Sequence, residues 1–364
     1  MAPTAFDIFC RVVDNYGDAG VCWRLARQLA ARGHVVRLWI DDMRTLARLV
    51  PALSPNEGIQ QTDAVRVLPW ELAATTQPPS AGVVVEAFAC VLPESYQAAM
   101  AGQDCLWINL EYLSAETWVE GCHGLPSLQA NGVPKYFFFP GFTQKTGGLL
   151  REPDLLAHRL QAQAQSRRER LENLTGQRWA DLPHDARCLL LFSYPTAPFE
   201  GLQQALAQDS LPNWVLIPGP TPEALYDTGA LKVRSIPFVP QARFDELLWC
   251  CDLNFVRGED SLVRSLWAGA PGIWQIYPQD DGAHLAKLEA WMACMRWSPE
   301  VCAVQRAWNG DDNDEMARAL APTLHTSQWT SWEKQSQTAM KALATQADLV
   351  SQLLDFCVHH QQKS

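Results

Sequence analysis

Twice along its 364 residues the chain alternates short apolar runs with amphipathic stretches, and a polar helical stretch separates the two series. The first series has apolar runs at Ala5–Cys10, His34–Ile40, Val65–Trp70, Gly82–Phe88, Cys105–Tyr112 and Lys135–Phe142. The segment Gly20–Gly33 carries Val21, Leu25, Gln28 and Leu29 near one helical face, and Gly33 stops it. The second series runs through Arg187–Tyr194, Asn213–Gly219, Leu231–Phe238, Asp252–Val256 and Gly272–Tyr277. Strand and helix in alternation predict a parallel sheet with helices on its faces, here built twice. The expected fold is therefore α/β, two Rossmann-like doubly wound domains. The divisions read as 1–154, a helical linker at 155–184, and 185–344. Two such domains leave a cleft between the carboxyl ends of their strands, where sheets of this kind bind ligands.

Composition narrows the function. The chain is 48% hydrophobic and 19% charged, enough to bury two cores and too apolar for disorder. A net charge of −11 argues against a general nucleic-acid surface. The one dense basic run, Arg167, Arg168 and Arg170, reads as a solvated helix face. No run approaches the ~20 apolar residues of a membrane helix, and Met1–Cys10 lacks a secretory pattern. Eleven scattered cysteines without a CxxC motif read as reduced thiols. The expectation is a cytoplasmic protein that binds neither nucleic acid nor membrane.

The densest chemistry lies in "NFVRGEDSLVRSLWAGAPGIWQIYPQDDGAH", Asn254 to His284. A strand ends at Val256, Arg257 and Gly258 turn the chain, and Glu259, Asp260 and Ser261 start a helix that Gly269 ends. Asp260 or Ser261 suits the N-cap. Exposed amides at such a helix start favour an anion such as a diphosphate, and Arg257 adds a fixed charge with two parallel donors. Taken singly, Gly258 is a turn, Ser261 a cap, and Arg257 a partner for Glu259. Taken together with the closing "GAP" and "YPQ", the stretch resembles the donor half of GT-B glycosyltransferases. There a Gly-Ser/Thr helix start holds the diphosphate of a nucleotide sugar. On that likeness Tyr277 and Gln279 border the donor, and Gln279, Asp280 and Asp281 lie where the sugar sits. Tyr194, Phe238 and Phe255 fall at or beside strand ends, placed either to stack on a pyrimidine or to fill the core. Gln241 either reads base edges or belongs to a helix N-terminus.

In the first half Asp14 and Asp18 bracket Asn15, Tyr16 and Gly17 on the loop after the first strand. An Asx turn at Asp14 and an N-cap at Asp18 explain one acid more easily than two. Sugar transfer requires a carboxylate beside the attacking atom, which loses a proton as the bond forms.

"DNYGDAGVCWRLARQLA", with "RGEDS" and "WQIYPQ" downstream, is similar in order and placement, over essentially the full length, to the EarP family. These are protein-arginine rhamnosyltransferases that modify translation elongation factor P. The resemblance implies an inverting GT-B enzyme that joins rhamnose from dTDP-β-L-rhamnose to an arginine at the tip of the factor's N-terminal domain. A C-terminal helix, about 345–364, would pack back on the first domain. Asp18 would be the base, Asp14 its companion on the guanidinium, and Glu259 a third functional acid. Asn15, Tyr16 and Gly17 would line the acceptor side, while Arg257, Asp260 and Ser261 would recognise the donor. No cofactor or metal is implied, because the nucleotide sugar is a co-substrate; Asp312-Asn313-Asp314 reads as a polar loop or helix cap. Gly272 departs from the pattern, where a bulky apolar residue is more usual, and would soften that strand start while leaving the motif acids intact. His123 reads as a hydrogen-bonded loop residue, His284 as a helix start, and His359-His360 as exposed tail. The readings left beside this one are a GT-B enzyme with another sugar or acceptor, and a non-catalytic binder of nucleotide sugar or elongation factor.

Overall fold

The computed structural model describes residues 3–80, 82–279 and 282–361. The chain divides into two compact units: the residues up to Glu152 with those from Gln346 on, and the residues Pro153–Thr345 between them.

The first unit begins β1 (Ala5–Cys10), α1 (Asn15–Ala31), β2 (Val35–Ile40), α2 (Met43–Leu49), β3 (Gln60–Thr62) and β4 (Val65–Pro69). It continues β5 (Val83–Ala87), α3 (Glu94–Met100), β6 (Leu106–Leu110), α4 (Val119–Cys122), β7 (Pro126–Ser127) and β8 (Lys135–Phe138). These strands form one sheet in the order β3-β4-β2-β1-β5-β6-β8-β7. The interior pairs are parallel, and the short β3 and β7 close the edges antiparallel. Side chains alternate across the pleat. Phe6, Ile8 and Cys10 therefore enter the core beneath α1, and Phe9 enters a second one with Trp39 and Trp107. Gly33, at φ 87°, lets the chain leave α1 for β2.

The second unit holds α5 (Leu155–Gln163), α6 (Arg167–Thr175), β9 (Arg187–Leu191), α7 (Phe199–Ala207), β10 (Asn213–Pro218), β11 (Leu231–Ile236) and α8 (Gln241–Leu248). After them come β12 (Leu253–Arg257), α9 (Gly258–Ala268), β13 (Gly272–Gln275), α10 (Ala283–Met295), α11 (Pro299–Trp308), α12 (Asn313–Thr323) and α13 (Thr326–Ala344). Its five strands are parallel, in the order β11-β10-β9-β12-β13. The last helix, α14 (Leu349–Gln361), belongs to the first unit. It buries Leu353 completely among the α1 residues, a contribution of ~1.5–3 kcal/mol for one such side chain. Arg32 at the end of α1 holds Asp348 at 2.7 Å.

Four sequence expectations change here. The stretch read as a linker is two helices inside the second unit. Its basic run is only partly a solvated face: Arg167 grips Asp252 with both terminal nitrogens (2.9 and 2.7 Å), while Arg168 is exposed and donates to the Leu182 carbonyl. Arg170 is buried and donates to the Trp249 carbonyl. His360 is not free tail, since its ring packs on Phe356 and Tyr136 with centroids at 4.2 and 4.4 Å. Gly272 does not soften its strand. A Cβ there would lie 2.7 Å from Ser265 Oγ, so the glycine is what lets α9 approach β13.

Candidate active site

In a doubly wound sheet the ligand site lies beyond the carboxyl ends of the strands, where the strand order reverses. The first chain path runs from β1 out to β2 and β4, then crosses back to β5 on the other side of β1. The second runs outward from β9 through β10 and β11, then crosses to β12. The reversals therefore fall between β1 and β5 and between β9 and β12. Asp14 and Asp18 follow β1, and Arg257 to Ser261 close β12 and open α9.

At the first reversal, the stretch expected to be a loop is the start of a helix. α1 begins at Asn15, Asp14 is its N-cap without a side-chain cap bond, and Asp18 sits inside it. Asp18 is thus not the cap but reaches back: its Oδ2 accepts the amides of Val13 and Asp14, both at 2.8 Å. The bond to the N-cap amide resembles the reciprocal arm of a capping box, but comes from an aspartate one position further into the helix. Tyr112, just past β6, adds a side-chain hydrogen bond to the same carboxylate. Asp18 is 2% exposed, and burial raises its pKa against the lowering pull of these three donors, with the charge of Asp41 raising it further. A buried carboxylate of this kind takes up a proton more readily than a solvated one. Asp14 is also buried, and its Oδ2 lies 2.5 Å from where a Cβ on Gly17 would be. Gly17 is the space in which that carboxylate rests. Tyr16 is half-buried, and its hydroxyl accepts Arg48 at 3.1 Å. Tyr112 and its stacking partner Phe88 were missed in the sequence. The rule that singled out Tyr194, an aromatic ring at a strand's carboxyl end, applies equally to them.

At the second reversal Arg257 is clamped. Its guanidinium lies over the Phe192 ring at 4.6 Å and the Tyr194 ring at 4.9 Å, and it donates to the Ser193 carbonyl at 3.1 Å. Cation–π contact of this geometry fixes the plane of the charge without neutralising it. The Tyr194 amide donates to Gln275 Oε1 at 2.6 Å, and its buried ring meets Tyr277 edge-on. Helix α9 starts at Gly258 (φ 63°) with Arg257 as N-cap, not Asp260 or Ser261. The Ser261 hydroxyl instead closes the turn, accepting the Arg257 amide at 3.1 Å and donating to the Arg257 carbonyl. Gln241 is the first residue of α8. It is buried and donates to Asp260 Oδ2 at 2.8 Å, while Arg264 and Asp245 join the same two helices by a bidentate pair (2.6 and 2.8 Å). Glu259 is half-buried in the first turn of α9.

The aromatic candidates separate. Phe238 and Tyr277 remain 36% and 37% exposed. Phe255 is fully buried, with its ring 4.6 Å from Trp308 in the core of the second unit. Gln279 is exposed, and its amide donates to His284 Nδ1 at 3.1 Å. Asp280 and Asp281 lie outside the described residues. Asp312 caps α12 through the Glu315 amide. His123 Nδ1 accepts the Phe139 amide at 3.0 Å, and burial lowers its pKa.

Residues 6–358 match the model of a family described as elongation-factor P (EF-P) rhamnosyltransferase EarP. The chain belongs to the EarP family. A protein-arginine rhamnosyltransferase of Pseudomonas putida is 44% identical over 96% of this chain and 98% of its own, and one of Neisseria meningitidis is 35% identical over 98% and 97%. A solved structure described as the basis for EarP-mediated arginine glycosylation of translation elongation factor EF-P superposes with TM-score 0.61 at 32% identity. It covers 97% of this chain and 98% of its own. The calicheamicin glycosyltransferase CalG4 shares the architecture alone, at TM-score 0.51 and 14% identity over 98% of each chain. The chain is thus a GT-B glycosyltransferase acting on protein arginine. Among its described residues no helix is long and apolar enough to cross a membrane.

Proposed function

We propose that the enzyme transfers L-rhamnose from dTDP-β-L-rhamnose, with inversion, to one arginine guanidinium in the N-terminal domain of translation elongation factor P. The single observation that carries the mechanism is the buried Asp18 carboxylate, with a raised pKa, at the reversal point of the first sheet.

Guanidinium keeps its proton, with a pKa above ~12, so no carboxylate removes it in advance. Asp14 and Asp18 instead orient the guanidinium through charge-assisted hydrogen bonds and aim one nitrogen at the anomeric carbon. As the C–N bond forms and the C–O bond to the diphosphate breaks, the nitrogen's proton passes to Asp18. Its elevated pKa suits it to receive that proton. Negative charge grows on the departing diphosphate, where Arg257 and the first amides of α9 oppose it. Phe238 and Tyr277, half-exposed rings on the second unit, are the surfaces left for a planar base. Glu259, Asp260 and Gln279 belong to the donor side. The elongation factor is the acceptor that the family description names.

The test is to incubate the purified chain with dTDP-rhamnose and the folded N-terminal domain, and to weigh the product. A gain of one deoxyhexose on the arginine supports the reading, and no gain overturns it. Free arginine and a short loop peptide run alongside should be modified far more slowly, because docking of the folded domain aligns the guanidinium. Equal rates on the peptide would limit recognition to local sequence.

A further inference from the structure

We propose that Tyr112 is a positioning residue of this site, its hydroxyl holding the Asp18 carboxylate in the orientation and charge state that transfer requires. The proposal rests on Asp18 being the base.

Three features converge on this tyrosine. Its ring lies flat on Phe88, centroids 4.4 Å apart and planes 13° from parallel. Phe88 belongs to a turn after β5 whose backbone is left-handed at residues that are not glycine: Phe88 at φ 57°, Ala89 at 52° and Val91 at 47°. Such conformations are costly for residues with a Cβ and persist only where surrounding contacts impose them. The contacts here come from β6: the Phe88 amide donates to the Leu110 carbonyl at 2.7 Å, and the Ala89 amide to Asn109 Oδ1 at 3.1 Å. Asn109 is itself fixed through its amide nitrogen to Glu111 Oε1 at 2.5 Å. The strand that carries Tyr112 thus holds the turn that presents Phe88, and Phe88 seats the tyrosine ring. At the reversal between β1 and β5 this leaves the phenol as a fixed donor to Asp18.

The chemistry defines its part. A phenol hydroxyl is a hydrogen-bond donor to an ionised carboxylate. Asp18 Oδ2 is occupied by two amides, so the Tyr112 hydrogen bond restricts the remaining rotation of the carboxylate and favours its ionised form. Beside Asp18 the carboxylate of Asp41 disfavours that charge, the Asp14 amide favours it, and the buried thiols of Cys10 and Cys22 are neutral. Tyr112 is the side-chain donor set against burial and Asp41.

Tyr112→Phe removes the hydroxyl and keeps the stacked ring. The Asp18 carboxyl carbon, assigned by difference against Asp18→Asn, is titrated by NMR without substrates, and its midpoint should move to higher pH. With dTDP-rhamnose and the acceptor domain, the acid limb of the kcat–pH profile should move up with that midpoint, so that at a pH below both midpoints kcat falls about tenfold for each unit of movement, with KM changed less than about twofold. Activity should recover as the pH is raised. Phe88→Leu, which unseats the ring, should shift the titration in the same direction. An Asp18 titration identical in Tyr112→Phe and wild type overturns the proposal. If wild type itself fails to transfer rhamnose, the functional reading is lost, while the titration still decides whether Tyr112 controls Asp18.

Discussion

Asp18 accepts the backbone amide of Asp14 at 2.8 Å, so the second acid of the first site holds the main chain of the first. The amide of Val13 converges on the same oxygen. Asp18 therefore closes the start of α1 from inside the helix, and Asp14 occupies the N-cap without spending its carboxylate on a cap bond. Neither acid takes the task the sequence offered it: Asp14 stands at the N-cap without a cap bond, and Asp18 ties down the helix start from within.

An amide oxygen at position 18 can still accept both backbone amides, so Asp18→Asn should keep the fold while transfer drops ~10²–10⁴-fold. The pH dependences run in opposite senses. Because the folded pKa is raised, Asp18 contributes stability that is fully present below the unfolded value near ~4. That contribution is lost as pH rises through the folded value. Calorimetry from pH 4 to 7 should thus show Asp18→Asn gaining on wild type as pH rises. Wild-type kcat should fall as pH drops through the same raised value, where the base becomes protonated. A midpoint no higher than that of a solvated carboxylate would remove Asp18 from the mechanism.

Gly17→Ala should separate stability from activity. Alanine is favoured over glycine within a helix by ~1 kcal/mol, so the melting temperature should hold or rise. The new Cβ would meet Asp14 Oδ2 at 2.5 Å and force that carboxylate aside. Turnover should fall at least about tenfold through lost orientation of the guanidinium. Full activity with an unchanged acceptor KM would return Asp14 to a structural part.

Arg257→Lys keeps the positive charge but loses the plane that Phe192 and Tyr194 clamp. Titration calorimetry with dTDP should show affinity weakened by ~1–2 kcal/mol, and Arg257→Ala should be weaker again. Equal affinity in all three proteins would move the diphosphate away from the start of α9.

Phe255→Ala tests the correction to the base pocket. Emptying a fully buried phenylalanine site beside Trp308 should cost ~3–5 kcal/mol of stability in denaturant unfolding. The folded fraction should bind dTDP as wild type does. A selective loss of nucleotide affinity without destabilisation would restore Phe255 to the ligand.

The sequence by itself determined the alternation of strand and helix, because central strands of a parallel sheet are covered on both faces and must be written as apolar runs. Val83–Ala87 and Arg187–Leu191 are buried at every position. It also placed the acids and Arg257 at strand ends, since those positions follow directly from where the apolar runs stop. Tertiary structure decided which neighbours those residues would have. Phe255 and Arg257 share one strand, yet Phe255 is sealed against Trp308 while Arg257 meets the rings of Phe192 and Tyr194 just past β9. The basic run on α6 looked solvated because its partners, Asp252 and the Trp249 carbonyl, come from far along the chain. Tyr112 meets Phe88 only because β6 pairs with β5, and it meets Asp18 only because β5 pairs with β1. Local pattern encodes which side chains turn away from water; the order of strands in the sheet sets which of them touch, and no single stretch of sequence contains that order.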